Sequence, residues 1–153
     1  MSIKVFLSDV DGVLTDGGMY YTESGDEFKK FNCYDGMGMK LLQQRGYKVG
    51  ILTSEDRKIN RNRANKLNLD YQFHGIKNKL DFIVEFCDKE NIDLSEIAYI
   101  GDDINCFDLL SKVGTAACPK NAIQKIKSIP NIIQLNSEGG YGAFREFAEL
   151  YLK

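Results

Sequence analysis

The chain contains no tryptophan, two prolines, one histidine and four cysteines among 153 residues. Each scarcity excludes something. Cys33, Cys87, Cys106 and Cys118 are widely spread and never form a CxxC pair, and His74 stands alone, so neither a zinc centre nor a disulfide framework is expected. The thiols are read as free. The longest apolar runs, such as Val49 to Leu52 and Ile97 to Ile100, fall far short of the ~20 residues that a membrane span requires. No membrane partner is expected. The N-terminal stretch reaches Asp9 and Asp11 without the uninterrupted apolar segment of a secretory signal, which points to a cytoplasmic location. Charge of one sign is missing too. Twenty Lys and Arg stand against 22 Asp and Glu, a net charge of −2, so no basic field invites nucleic acid and a small molecule is the expected partner.

What is present is a globular profile, with 43% hydrophobic and 27% charged residues and no linker-like shift in composition. One domain over residues 1–153 is expected, and a chain of this size buries roughly 68–70% of its unfolded surface. Apolar β-rich runs alternate with helical patterns, the mark of an α/β doubly wound parallel sheet. Ile3 to Ser8, Tyr47 to Thr53 and Ile97 to Gly101 read as strands covered on both faces, because they are nearly continuous in apolar residues. Shorter strands are expected near Tyr71 to Phe73, Gly114 to Ala117 and Ile132 to Gln134. Met37, Leu41 and Leu42 mark one helix, and Leu80, Ile83, Val84 and Cys87 mark another. Further helices fit residues 104–111, 120–127 and 142–152, the last with a core stripe of Phe144, Phe147, Ala148 and Tyr151. One segment interrupts the alternation. Residues 17–31 carry two β-prone arms around Glu23-Ser24-Gly25-Asp26, which reads as a β-hairpin inserted after the first strand.

The chemistry concentrates where strands end. Asp9-Val10-Asp11-Gly12 sets two carboxylates two residues apart at the end of the first apolar run, and in open α/β sheets that edge is where ligands bind. Both can face one ligand if the backbone stays extended. Gly101-Asp102-Asp103 loads a second strand end in the same way. Clustered carboxylates repel one another unless a cation neutralises them, and oxygen donors without His or Cys suit Mg²⁺. Asp9 and Asp102 are the expected ligands. Asp103 also reads as a helix cap beside Ile104. Thr53 and Ser54 close the second strand with hydroxyls and backbone N–H groups at an expected helix start, a geometry for a phosphate. Lys79 opens another helix, where a cation opposes the dipole unless it serves a second charge; Lys77 competes for that role.

Asp9, Asp11, Thr53, Lys79, Asp102 and Asp103, in this order and at strand ends, resemble the motif set of the haloacid dehalogenase superfamily of aspartyl-phosphate phosphotransferases. The short insert in place of a large cap domain resembles the capless phosphatases of eight- and nine-carbon sugar acids. Phe31-Asn32-Cys33-Tyr34-Asp35-Gly36-Met37-Gly38 is similar to that group's FxxxDGxG segment, and Gly139-Gly140-Tyr141-Gly142-Ala143-Phe144-Arg145-Glu146 to its GGxGAxRE.

The resemblance implies a Rossmann-like sheet and a Mg²⁺-dependent phosphomonoesterase. Asp9 would be the nucleophile, Asp11 the acid and base with its backbone carbonyl completing the metal shell of Asp9 and Asp102, and Thr53 and Lys79 the neutralisers of phosphoryl charge, with Asp103 and Asn105 in support. It also implies a homotetramer whose hairpins, residues 17–31, meet and whose active sites a neighbouring subunit completes. Thr53-Ser54 is followed by Glu55-Asp56-Arg57 where the eight-carbon enzymes commonly read Gly-Arg. Glu55 could read the polyol of a longer substrate, with Arg63 and Lys66 as partners for a distant carboxylate and Asp35 and Gly36 as further contacts. That departure favours a nine-carbon 2-keto-3-deoxy-nonulosonate 9-phosphate over 3-deoxy-D-manno-octulosonate 8-phosphate. A phospho-receiver domain, with Asp56 as acceptor, shares the sheet but is opposed by the DxD spacing and by Pro119-Lys120 in place of Lys-Pro. Dinucleotide binding fails because Gly36-Met37-Gly38 continues to Leu41 where a third glycine belongs.

Overall fold

The computed structural model describes residues 2–153. Strands β1 (Val5–Ser8), β4 (Lys48–Leu52), β5 (Tyr71–Phe73), β6 (Ile97–Ile100), β7 (Thr115–Cys118) and β8 (Ile133–Gln134) form one parallel sheet in the order β5-β4-β1-β6-β7-β8. The chain winds outward from β1 first on one side and then on the other. Every expected strand is present within two residues of its expected ends. The antiparallel pair β2 (Tyr20–Tyr21) and β3 (Glu27–Phe28) is the hairpin, separate from the main sheet.

Alternation along the strands divides the core in two. Phe6, Val49, Ile51, Ala98 and Ile100 pack on one face with α1 (Cys33–Gln44) and α6 (Ala143–Glu149). Val5, Leu7, Leu52, Ile97 and Tyr99 pack on the other with α3 (Lys79–Glu90) and α4 (Phe107–Leu110). The stripe of Phe144, Phe147 and Ala148 is fully buried, as its spacing predicts. Two helix faces differ from expectation. In α1 the buried residues are Asp35, Gly36, Gly38, Met39 and Leu42, and Met37 is exposed. The reason is close approach: a Cβ on Gly38 would lie 3.4 Å from Ala148 Cβ and 3.1 Å from Arg145 Cδ, so this glycine lets α6 pack against α1. In α3 the stripe runs through Ile83, Phe86 and Cys87, while Val84 turns outward. Three helical segments are shorter than expected: residues 104–106 form a 3₁₀ turn before α4, α5 is confined to Gln124–Lys127, and α6 ends at Glu149.

Asp35 ties these helices together. Its Oδ1 accepts the Arg145 N–H at 3.0 Å, and its Oδ2 is buried without a hydrogen-bond partner. Burial pushes its pKa up to about 6, against the backbone hydrogen bonds from Arg145 and Phe144 and the charges of Arg63 and Arg145, which pull it down. The native chain therefore holds this proton more tightly than the unfolded chain, whose Asp titrates near 3.8. The contribution of Asp35 to stability is fullest below about pH 4 and falls until about pH 6, above which it is lost. The total is about 3 kcal/mol. Asp35→Asn keeps the acceptor and removes the charge, so its unfolding free energy relative to wild type should rise by that amount between pH 4 and pH 7. Urea denaturation of both proteins across that range checks it.

Candidate active site

Register alone brings the chemistry to one edge. β1 pairs with β4 through Ser8 and Ile51 and with β6 through Ser8 and Ile100, so the next residues out are Asp9, Leu52-Thr53 and Gly101-Asp102. Asp9 N–H donates to Ile100 O at 3.0 Å and fixes the first strand end against the third. A cleft of about 280 Å³ opens there, lined by Asp9, Asp11, Gly12, Thr53, Ser54, Glu55, Asp102, Asp103 and Asn105 among others. It lies at the carboxyl edge of the sheet on either side of β1, the switch point where open α/β sheets hold their ligands.

Asp9 is buried, and its carboxylate has three protein donors. Val10 N–H donates to Oδ1 at 2.9 Å, Lys79 Nζ to Oδ1 at 3.2 Å, and Cys106 Sγ to Oδ2 at 3.4 Å. Asn78 caps α3 by accepting from Asp81 N–H, which starts the helix at Lys79 and sends its side chain inward under the sheet edge. Lys79 is 2% exposed. Burial works against its charge, yet the Asp9 carboxylate outweighs that effect, and with hydrogen bonds from Nζ to Asp9 and Cys106 it holds the pKa above the ordinary lysine value. Nζ also donates to Tyr99 Oη at 3.1 Å and to Cys106 Sγ at 3.5 Å. Lys77, by contrast, reaches Ser54 O on the surface at 3.3 Å.

Asp102 faces Asp9 across the cleft. Burial first, then repulsion from Asp9, pushes its pKa up to about 8, with Lys79 opposing. Without a cation the cluster sheds charge by keeping a proton. A divalent ion would reverse that, and the donor set fits a hard one: ligand atoms of Asp9, Asp102 and Cys106 lie within 4.8 Å of one another. Burial and the Asp9 charge push the Cys106 thiol up to about 12, so it stays protonated and leaves the oxygens as donors. Room for the cluster depends on Gly12. Its φ is +84°, and a Cβ there would collide with Asp102 Oδ2.

The C-terminal glycine motif braces this loop. A Cβ on Gly139 would collide with Gly12 O, and Gly140 N–H donates to Val13 O at 3.0 Å. Asn121 completes the brace, donating to Gly12 O at 3.0 Å and accepting from Gly139 N–H at 2.6 Å.

Other expected residues are distributed unevenly. Thr53, Ser54 and Glu55 reach the cleft, but no helix starts there: α2 spans Lys58–Lys66, and Thr53 Oγ1 accepts from Glu55 N–H at 3.1 Å in an irregular loop. The expected helix dipole is therefore absent from this end of the cleft. Asp103 lines the cleft and caps the 3₁₀ turn through Ile104 N–H at 2.6 Å. Asn105 donates to Ser54 Oγ at 3.1 Å and links the strand ends. Asp35, Gly36, Arg63 and Lys66 are not brought into the cleft of this chain. Arg63 lies over the Phe31 ring and against Asn32 O, and Lys66 lines a separate groove between α1 and α2 with Lys40 and Gln43. Four contributors escape a reading of the sequence: Lys29, Tyr99, Cys106 and Asn121. Lys29 comes from the hairpin, and its Nζ sits 2.9 Å from Asp11 Oδ1.

Comparison with known proteins agrees with this geometry. A family model described as haloacid dehalogenase-like hydrolase matches residues 73–142. The chain is 32% identical over 152 residues to the 3-deoxy-D-manno-octulosonate 8-phosphate phosphatase of Haemophilus influenzae, covering 99% of this chain and 84% of that protein. Among solved structures it is similar to the Moraxella catarrhalis phosphatase of the same name, a complex with magnesium, phosphate and the sugar acid. There the TM-score is 0.93 with 34% identity, over 98% of this chain and 86% of the other. The cobalt-bound Haemophilus influenzae enzyme superposes with a TM-score of 0.92 and 32% identity, over 99% of this chain and 88% of the other.

Proposed function

The chain belongs to the haloacid dehalogenase superfamily, in its capless sugar-acid phosphatase group, and from that premise we propose that it hydrolyses 3-deoxy-D-manno-octulosonate 8-phosphate through an aspartyl-phosphate on Asp9. The observation that carries the mechanism is the Lys79 ammonium, buried behind the cleft wall and 3.2 Å from Asp9, which lines the cleft together with Asp11 and Asp102.

The cofactor is Mg²⁺. Asp9, Asp102 and the main-chain carbonyl of Asp11 would hold it, and when bound it offsets negative charge on the phosphoryl oxygens. The remaining work falls to the protein. Asp9 attacks phosphorus and the ester oxygen leaves, splitting one displacement into two. Asp11 gives its proton to the leaving alkoxide and later takes one from the attacking water. Lys79 and the Thr53 hydroxyl stabilise charge on the transferring group. Asp103 and Asn105 support the cleft wall.

Glu55 alone weighs toward the nine-carbon ester. Relatives matching almost the whole chain at 32–34% identity weigh more, and they favour the eight-carbon ester. A kcat/KM comparison of the two esters tests this: at least tenfold preference for the eight-carbon 8-phosphate is expected, and the reverse preference would overturn the substrate reading while leaving the mechanism intact. Arg63 and Lys66 would then contact substrate only from a neighbouring subunit, whereas Asp35 and Gly36 are buried in α1, where Asp35 bonds to α6, and are withdrawn as substrate contacts.

The hairpin supports such an assembly. Met19, Tyr20, Tyr21 and Phe28 are exposed large apolar side chains on one small element. We assign it to contacts between subunits of a homotetramer. Replacing Tyr20 and Tyr21 with Glu should reduce the particle mass in analytical ultracentrifugation and lower activity with it; a wild-type monomer of full activity would refute the assignment.

A further inference from the structure

Of the two adjacent lysines at the end of the hairpin, Lys30 lies over the Tyr141 ring at 4.8 Å, whereas the Lys29 side chain is completely covered. A buried ammonium is strongly destabilising unless it is paired. Lys29 is paired on several sides. Its Nζ is 2.9 Å from Asp11 Oδ1 and 3.8 Å from Glu27 Oε1, and it donates to Asn60 Oδ1 of α2 at 3.3 Å. Glu27 is anchored in turn by Arg57 Nη2 at 2.6 Å. Two cations and two carboxylates thus bridge hairpin, α2 and the first catalytic loop. The orientation of Asp11 follows. Its Oδ1 is covered and faces Lys29, while the side chain keeps 29% exposure on its remaining surface.

We propose that Lys29 is a positioning residue for Asp11, tying down one carboxylate oxygen so that the other is presented to the ester oxygen in the cleft. The inference rests on the reading of Asp11 as acid and base. It makes the hairpin part of the chemistry as well as a surface for assembly.

The test separates leaving groups. An alkoxide needs a proton to depart and p-nitrophenolate needs little, so a misplaced acid harms only the first. In the Mg²⁺-loaded full chain, Lys29→Met should lower kcat/KM for the sugar 8-phosphate at least tenfold more than for p-nitrophenyl phosphate. Asn60→Ala, which removes the acceptor on α2, should shift the ratio the same way by threefold or more, and it decides between the outcomes if Lys29→Met does not fold. Equal losses on both esters would make the role structural and overturn the proposal, as would no loss on either. Asp11→Asn is the benchmark. If that variant shows no leaving-group split, the acid assignment fails; if it shows one and the Lys29 and Asn60 variants do not, only the positioning inference fails.

Discussion

Asp9→Asn is expected to lower kcat more than a thousandfold with either sugar or aryl phosphate, a barrier increase above about 4 kcal/mol. The substitution keeps the side-chain volume and one acceptor for Lys79 and Val10, so the fold should survive. What disappears is the nucleophile. Acid-quenched wild-type protein, caught during turnover and examined by mass spectrometry, should carry phosphate on the peptide containing Asp9, and the variant should carry none. A variant retaining a tenth of wild-type kcat would remove Asp9 from that role.

Lys79→Met is expected to cost turnover on a similar scale, but with a different signature. Removing one partner of a buried ion pair leaves the other uncompensated, a loss of roughly 3–5 kcal/mol in stability. Here the carboxylates have another route to neutrality, because a cation can take the place of the ammonium charge. Mg²⁺ should therefore bind the variant at least as tightly as it binds wild type, and saturating Mg²⁺ should restore much of the lost unfolding free energy. Calorimetric titration and thermal melts with and without Mg²⁺ check both points. Weaker Mg²⁺ binding in the variant would show that Lys79 organises the metal ligands instead of balancing charge on the phosphoryl group.

The residues that sequence can reveal are those whose chemistry conflicts with their neighbours. Asp9 and Asp102 end apolar runs abruptly, and a carboxylate has no packing reason to be there. The sheet is legible for a related reason, since strands covered on both faces leave long apolar signatures. Tyr99 is hidden by the same signature: within IAYI it reads as core, and only the folded chain shows its hydroxyl 3.1 Å from Lys79. Lys29 is hidden by Lys30, because nothing in a lysine pair says which member turns inward. The helix expected after Thr53 fails because residues 53–57 fold as a loop, with Gly75 N–H donating to Glu55 O at 3.1 Å. Periodicity does not register such a contact. Arg63 and Lys66 occupy their expected helix, but on a face turned from the cleft, and helix pattern alone does not fix that orientation.

The clasp of Gly139, Gly140 and Asn121 on the Gly12 loop has a consequence for the order of events at synthesis. Asp9 leaves the ribosome early, yet the loop behind it has its backbone partners more than a hundred residues later. Such distant contacts form late, since closing a long loop costs entropy before any contact repays it. A nascent chain that has released β1, β4 and β6 can assemble the middle of the sheet with Asp9 at its edge. The loop behind Asp9 still lacks its brace at that stage, because the partners of Gly12 O and Val13 O on Gly139 and Gly140 are among the last residues to clear the ribosome.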